Sequence, residues 1–333
     1  MNCRSQLSVR REAILQMSDY RQNELNNFII NNMGTPFHEV HFNSIASKCF
    51  NTYAIYLIAY KGSDIVGVCP IHYFRNGIVK IGFSNLVIYE IPYGGWIYNK
   101  DEISIRELIK CLKVGWREKL VYRSNIVMDD NSNDYKGFIP QETVILDLKG
   151  DIDDIFNRLN RKTRNKIRRA SKIGVKIRYL SMSELGEFIR ISRILKKRIG
   201  QPCYEEFYYK VFEKYVTEHR IQCLAAEYNN EIISGGILIA NKNFSIGWIP
   251  GRKADIPNNL YQNELLFWEH IVWSKRNNIK YLDLNGLHQK KLPHLARLKL
   301  SFSKDIRRFY AKNYNRVRYK ILSSIQNIVK KDI

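Results

Sequence analysis

The chain has 333 residues, of which 45% are hydrophobic; this is enough for two cores of ordinary size and excludes a disordered protein. Its 54 lysines and arginines exceed its 32 acidic residues, and the formal net charge of +22 indicates an anionic partner: nucleic acid, anionic lipid or a phosphorylated small molecule. A coding sequence biased toward Lys, Asn and Ile would explain the charge without any partner.

Six scattered cysteines, with no Cys-x-x-Cys pair, indicate free thiols in a reducing compartment. The N-terminal residues show no apolar block typical of a secretory signal. The longest apolar run, residues 54–60, is much shorter than the ~20 residues that a membrane span requires. We therefore expect a cytoplasmic protein, with location at the inner face of the membrane as a further option.

The first 150 residues predict two helices followed by a series of strands. Residues 10–33 predict a polar helix, and Thr35-Pro36-Phe37-His38 separates it from a short helix over residues 40–49. The β-branched and aromatic runs 54–60 and 65–72 predict a hairpin. The remaining expectations are a strand pair within 78–88, a helix over 102–119, and strands at 126–128 and 143–146.

The second half predicts much the same order of elements. After a basic helix and its strand, the expectations are helices over 183–198 and 204–219, a hairpin of 222–227 with 232–240, a strand at 244–249, a helix over 260–275 and a strand at 281–286. The two halves therefore resemble two copies of one α+β unit, although their residues differ.

Residues 151–177 form the most distinctive stretch of the chain. Apolar residues recur mostly at three- and four-residue steps, so one helical face can pack on a core, and Gly174 ends the helix. No acid interrupts the outward cations, which are Arg158, Arg161, Lys162, Arg164, Lys166, Arg168, Arg169 and Lys172. Three interpretations stay open: a face for tRNA backbone, a face for anionic headgroups or lipid pyrophosphate, or a solvated surface.

The C-terminal residues 304–331 are also basic. Their apolar stripe, Val317, Ile321, Ile325 and Ile328, predicts an amphipathic terminal helix. Packing on the first domain is the expected use of this helix, and lying on lipid is the alternative.

Five segments together resemble the FemAB-like branch of the GNAT acyltransferase superfamily. They are Thr35-Pro36-Phe37-His38, Gly67-Val68-Cys69-Pro70, Pro92-Tyr93-Gly94-Gly95, the basic stretch 161–175, and Tyr281-Leu282-Asp283 followed by Leu298-Lys299-Leu300-Ser301-Phe302. Two departures matter: Ser303 stands where the family pattern has glycine, and the heptad insert of the longer tRNA-dependent members is missing.

The resemblance implies an α+β fold of two tandem GNAT-like domains, each a mixed sheet flanked by helices, with a basic C-terminal helix. The expected domains are 1–150 and 151–333, with the active cleft in the second and the tail 304–333 folding back on the first. Family members move aminoacyl groups from aminoacyl-tRNA, or acyl groups from thioesters, to amines of peptidoglycan precursors or surface saccharides. We expect no permanently bound cofactor, a nucleotide- or lipid-linked acceptor, and a monomer.

Amide formation requires loss of a proton from the amine and stabilisation of an oxyanion. Asp283 is the candidate for orienting or deprotonating the amine, with capping of a turn as the structural alternative. Lys299, which matches the lysine of the family pattern, is the candidate for the oxyanion or acceptor phosphate, with a solvated helix cation as the alternative. No metal site is predicted, because the histidine pairs 38/41 and 288/294 lack partner ligands.

The remaining candidates contact substrates. Arg198 could clamp a phosphate, or simply complement the end of a helix. Trp248, Tyr261 and Asn263 border the segment where a GNAT enzyme would bind the pyrophosphate of CoA, although packing or capping explains them equally well. That segment lacks the Arg/Gln-x-x-Gly-x-Gly/Ala fingerprint, which lowers the weight of acyl-CoA as donor. The predicted donor-binding residues are Arg161, Arg164, Arg168, Arg169 and Lys172.

Three functional hypotheses follow. The first is a transferase that moves an aminoacyl or acyl group onto an amine of a cell-envelope precursor. The second is a CoA-dependent N-acyltransferase for an amino sugar of surface polysaccharide. The third, from outside the enzymes, is a polyanion-binding protein on a GNAT scaffold.

Overall fold

The computed structural model describes residues 6–76, 79–128 and 132–315. The chain divides into two compact units: Met1–Gln141 together with Arg308–Ile333, and Glu142–Arg307. The domain boundary near residue 150 stays a prediction. None of the described helices is both long and apolar enough to cross a lipid bilayer.

The first unit is built on an antiparallel sheet with one parallel pair. Its elements are β1 (Leu7–Ala13), α1 (Asp19–Asn31), α2 (Val40–Cys49), β2 (Tyr53–Lys61), β3 (Asp64–Asn76), β4 (Val79–Phe83), β5 (Ile97–Tyr98), α3 (Ile105–Lys110) and β6 (Glu118–Arg123). The strand order is β1-β2-β3-β4-β6, with β4 and β6 parallel and β5 paired to β3. Two apolar clusters, one centred on Trp96 and Tyr122 and one on Tyr56 and Ile58, fill its core.

The second unit repeats this plan. Its elements are β7 (Ile139–Asp147), α4 (Ile152–Arg158), α5 (Arg161–Ile173), β8 (Lys176–Leu180), α6 (Leu185–Arg198), α7 (Glu205–Val216), β9 (Ile221–Tyr228), β10 (Glu231–Ala240), β11 (Phe244–Arg252), α8 (Gln262–Arg276), β12 (Tyr281–Gly286) and α9 (Pro293–Leu300). The order β7-β12-β11-β10-β9-β8 has one parallel pair, β11 with β12. The last described element is β13 (Asp305–Tyr314). Its residues 311–314 belong to the first unit and pair with β6.

The two parallel strands of the second unit, β11 and β12, are paired over only part of their length. Register holds only from Phe244↔Tyr281 to Ile246↔Asp283, after which β11 runs on to Arg252 without β12. The side chain of Asn285 then reaches back, and its Nδ2 donates to the carbonyl oxygen of Gly247 at 3.1 Å. Where two parallel strands diverge, backbone groups and side chains at their ends are open to a ligand.

Most predicted strands are confirmed, and three helical expectations are corrected. Residues 7–13 are a strand, so the predicted helix over 10–33 begins only at Asp19. The helix over 102–119 is confined to Ile105–Lys110, because Glu118–Arg123 pairs with β4 and β13. The basic stretch is two helices, not one. Residues 305–314 form a strand, and the predicted terminal helix over 317–328 lies outside the described residues.

Candidate active site

Asp283 occupies the point at which β11 and β12 separate. It is fully buried, and its Oδ1 accepts hydrogen bonds from the backbone N–H of Asn285 at 2.7 Å and from the hydroxyl of Thr143. Asn285 adopts φ +64°, a left-handed conformation that asparagine tolerates better than most residues. The carboxylate therefore holds the turn at the end of β12, which is the capping role considered from the sequence.

Lys299 lies in the last turn of α9 and reaches the same turn. Its Nζ donates to the carbonyl oxygens of Asn285 at 2.9 Å and Gly286 at 2.8 Å. The residue is only 6% exposed, so the alternative of a solvated helix cation is wrong. Burial lowers the pKa of Lys299 to about 8, and the nearby Asp283 carboxylate opposes that shift.

The buried lysine and aspartate form one unit around Asn285. Lys299 binds the carbonyl of Asn285, while Asp283 binds its N–H. An ammonium group carries three protons, and the described residues accept two of those of Lys299. The third proton can be donated to a substrate atom. Thr143 and Asn285 were missed from the sequence, because neither residue type is diagnostic without its spatial partner.

Ser303, which replaces the glycine of the family pattern, serves the same region. Its hydroxyl donates to the carbonyl oxygen of Ile145 in β7 at 2.5 Å and accepts from the backbone N–H of Asp305 at 3.1 Å. The substitution therefore adds hydrogen bonds that tie the end of α9 to the sheet of its own unit.

The predicted substrate residues lie on other elements of the second unit than Lys299. Trp248 is buried, with its ring 5.5 Å from that of Phe207 and 5.8 Å from that of Tyr208, so packing explains it. Arg198 is exposed at the end of α6, and Asn263 is half-buried in the first turn of α8.

The basic helix α5 divides into structural and free cations. Arg164 donates from Nη1 to the carbonyl oxygens of Asn157 at 2.6 Å and Leu159 at 2.8 Å, so it caps the end of α4. The guanidinium carbon of Arg168 lies 5.1 Å from the ring centre of Phe156, and that of Arg169 lies 5.4 Å from the ring centre of Tyr261. In the described part of the chain, the exposed cations Arg161, Lys162 and Lys172 form no ion pair.

The N-terminus of α8 is the place where a GNAT enzyme would hold a pyrophosphate, and an acid already occupies it. Glu264 is buried in the first turn and accepts from the Nζ of Lys166 at 2.9 Å. Tyr261, which precedes the helix, has φ +52° and carries no side-chain cap. A carboxylate in this position complements the positive end of the helix dipole and repels a second anion. The pair Lys166–Glu264 was missed, although Glu264 follows the helix start in the sequence.

The chain was compared with known proteins. The model of the FemAB family matches residues 131–232. No curated protein sequence matches the chain. Among solved structures, FemX matches with a TM-score of 0.68 and 11% identity, over 94% of this chain and 99% of that one.

Two further structures have similar folds. The C-terminal domain of a putative lysylphosphatidylglycerol synthetase from Agrobacterium fabrum matches with a TM-score of 0.54 and 10% identity, covering 92% of this chain and 97% of that one. A tandem GNAT protein from the clavulanic acid biosynthesis pathway matches with a TM-score of 0.50 and 8% identity, covering 92% and 98%.

The fold is thus of the tandem GNAT type, as the resemblance implied. The sequence likeness to the FemAB family covers residues 131–232, and the likeness to FemX is one of fold.

Proposed function

We propose that the protein transfers an aminoacyl group from aminoacyl-tRNA to an amine of a cell-envelope precursor. The observation that carries the proposal is Lys299, a buried ammonium group beside the point where β11 and β12 diverge. Among the described residues, two carbonyl oxygens accept its protons, which leaves one N–H for a substrate. A preorganised cation in a buried position is what an oxyanion needs, because it requires little reorganisation during the reaction. The FemAB family match and the fold support the reaction class.

The reaction proceeds by attack of the neutral acceptor amine on the ester carbonyl of the donor. A C–N bond forms, and the carbonyl electron pair moves to oxygen, where the third N–H of Lys299 binds the developing negative charge. The intermediate then collapses with cleavage of the ester C–O bond, and the proton lost by the amine is taken up by the leaving hydroxyl. None of these reaction steps requires a metal ion.

Asp283 acts in this scheme as a positioning residue. Its carboxylate is fully buried and already accepts two hydrogen bonds, which favours holding the turn over direct contact with the amine. Its charge stabilises the ammonium form of Lys299. Arg198, exposed at the end of α6, is assigned to acceptor phosphate, which a guanidinium can bind with two parallel hydrogen bonds.

The choice of tRNA over CoA rests on α8 and α5. Glu264 and Lys166 close the helix N-terminus that would cradle the CoA pyrophosphate. The free cations of α5, Arg161, Lys162 and Lys172, offer a face for the phosphate backbone of tRNA. Arg164, Arg168 and Arg169 contribute to that face through charge, while their contacts also serve the fold.

Label transfer tests the proposal. Purified protein is incubated with a pool of labelled aminoacyl-tRNA and a nucleotide-linked or lipid-linked precursor fraction, with and without prior RNase. We expect label in the precursor, abolished by RNase and lost in Lys299→Met. Transfer from labelled acyl-CoA that survives RNase would instead establish the CoA-dependent enzyme. If the folded protein binds RNA but transfers label from neither donor, the result would support the polyanion-binding function instead.

A further inference from the structure

Residues 288–295 form an exposed segment that we name the docking loop; its sequence is His288-Gln289-Lys290-Lys291-Leu292-Pro293-His294-Leu295. All eight residues are exposed, and the segment is anchored at both ends by Leu287 and Ala296, which are 5% and 4% exposed. Within it, Leu292 is 50% exposed and Leu295 is 38% exposed. A single exposed leucine is ordinary, but two within four residues concentrate exposed apolar area in one short segment.

The docking loop and the residue positions next to it carry positive charge. Lys290 and Lys291 precede the two leucines and Arg297 follows them, whereas no acidic residue occurs from 284 to 304. The carboxylate of Glu142 lies beside the loop, and its Oε2 accepts a hydrogen bond from Gln289 at 3.5 Å. With Glu142, residues 288–291 line an open cleft of about 480 Å³. The loop therefore combines exposed leucines with a net positive charge.

Hydrogen bonds hold the leucines in place. The backbone N–H of Leu292 donates to the carbonyl oxygen of His288 at 2.8 Å, and that of Ala296 donates to Leu292 at 2.9 Å. Pro293 begins α9, where a fixed φ favours the first helical turn. Presenting both leucines therefore costs little conformational entropy on binding.

The docking loop is close to the catalytic lysine along the chain. Leu295 and Lys299 are four residues apart on α9, which is ~6 Å along a helix axis, and Leu292 is ~10 Å away. Interfacial segments insert their apolar residues ~5–10 Å into the headgroup and acyl boundary. A surface that receives the two leucines would therefore lie within reach of the site at Lys299.

We propose that the docking loop binds an anionic lipid surface. Leu292 and Leu295 enter the acyl boundary, while Lys290, Lys291 and Arg297 bind headgroup phosphates. Resting on the transferase function proposed above, the same contact identifies the acceptor as an amine carried by a membrane lipid. Lipid is favoured over RNA because the docking loop exposes two leucine side chains and contains no Phe, Tyr or Trp on which a base would stack.

Vesicle sedimentation tests this surface without reference to activity. The full chain is mixed with vesicles of phosphatidylcholine alone or with about one third phosphatidylglycerol, in low and high salt. We expect binding to the anionic vesicles only, weakened by salt. Leu292→Ser with Leu295→Ser should lower the affinity by about tenfold or more, and Lys290→Glu with Lys291→Glu should lower it at least as much.

Matched controls exist in the same unit. Lys242→Glu with Lys280→Glu makes the same charge change just before β11 and β12, at the ends opposite the docking loop. Met182→Ser with Ile194→Ser removes apolar side chains of comparable exposure, 37% and 43%. We expect both control pairs to bind anionic vesicles within about twofold of the unaltered chain. Equal losses in controls and loop variants would overturn the proposal.

The outcomes separate the docking loop from the proposed reaction. Binding to anionic vesicles without transfer to any acceptor would refute the transferase while the lipid surface stands. Transfer to a water-soluble precursor by a chain that binds no vesicle would refute the lipid surface alone. If vesicles are not bound and Lys290→Glu with Lys291→Glu weakens binding to tRNA, the loop is an RNA contact and the lipid proposal is wrong.

Discussion

The Nζ atom of Lys299 lies 2.9 Å from the carbonyl oxygen of Asn285. This contact fastens the last turn of α9 to the end of β12, and it places an ammonium group in a buried environment beside Asp283. The same geometry makes the charge of Lys299 dependent on pH near neutrality, because its pKa is about 8.

Substitution of Lys299 should reveal this charge in the pH dependence of transfer. If the ammonium form is active, the rate falls tenfold for each pH unit above about 8, where the amine loses its proton. Lys299→Met should lower kcat by ~100- to 1,000-fold at pH 7. Lys299→Arg should retain part of the activity. Its rate should not decrease above pH ~8, a decrease that we call the alkaline fall, because guanidinium stays charged.

Circular dichroism and thermal melting establish that both Lys299 variants are folded before their rates are compared. An unaltered alkaline fall in an active Lys299→Arg protein would show that another group titrates.

Asp283→Asn should move the alkaline fall to lower pH. Asparagine can still accept hydrogen bonds from Asn285 and Thr143 through its carbonyl oxygen, but it lacks the charge that raises the pKa of Lys299. The pKa of Lys299 should therefore drop below about 8, and the pH–rate profile should show it. Asp255→Asn, an exposed residue of the same unit, is the charge-matched control and should leave the profile unchanged. Identical profiles for both variants would exclude this role for Asp283.

Free and structural cations of α5 should respond differently to neutralisation. Combined Arg161→Gln, Lys162→Gln and Lys172→Gln should raise the KM for aminoacyl-tRNA and reduce the slope of log affinity against log salt by ~1 per lost phosphate contact. Their exposure predicts a melting temperature close to that of the unaltered chain. Arg164→Gln should instead destabilise the protein by ~1–2 kcal/mol, because two carbonyl groups of α4 lose their donor.

Salt-dependent binding of tRNA measured with both α5 variants checks this division. A triple variant with the slope of the unaltered chain would remove the donor role from these three cations.

Acid should unfold the protein through three buried histidines. Burial lowers the pKa of His38 to about 4 and that of both His72 and His270 to about 3. Below pH ~6.5 the unfolded chain binds protons that the folded chain does not, so the free energy of unfolding falls as pH falls through this window. Each histidine contributes a slope of ~1.4 kcal/mol per pH unit between its two pKa values.

Urea unfolding at a series of pH values measures this slope. His270→Met removes one of the three groups, so its slope between pH 6 and 4 should be smaller by ~1.4 kcal/mol per unit. Equal slopes for the variant and the unaltered chain would show that His270 does not titrate on unfolding.

Local sequence predicted the elements well where one periodicity dominates. The hairpin of β2 and β3 has β-branched and aromatic residues on both sides of a glycine turn, and it appears as expected. The basic stretch was predicted as one helix because its apolar residues recur at helical spacing almost without interruption. The structure has two helices there. The side chain of Asn160 accepts a hydrogen bond from the N–H of Thr163 and so caps the start of α5. The strand over residues 305–314 was not predicted, because its pairing partner, β6, is ~190 residues away in the chain.

The site was accessible to sequence reasoning only in part. Asp283 and Lys299 were identified through the family pattern, and the structure brings both to one turn. The roles of Thr143 and Asn285 depend on contacts across β7, β12 and α9, which no local pattern encodes. Likewise, the division of α5 into structural and free cations follows from where α4 ends and where Tyr261 lies.

The path of β13 bears on how the protein is made. Residues 311–314 complete the sheet of the first unit by pairing with β6, yet they follow the whole of the second unit, residues 142–307, in the chain. During synthesis, N-terminal domains generally fold before the rest of the chain emerges. Here β6 of the first unit lacks one pairing strand until residues 311–314 have been synthesised. The second unit, in contrast, has all its residues as soon as residue 307 has left the exit tunnel.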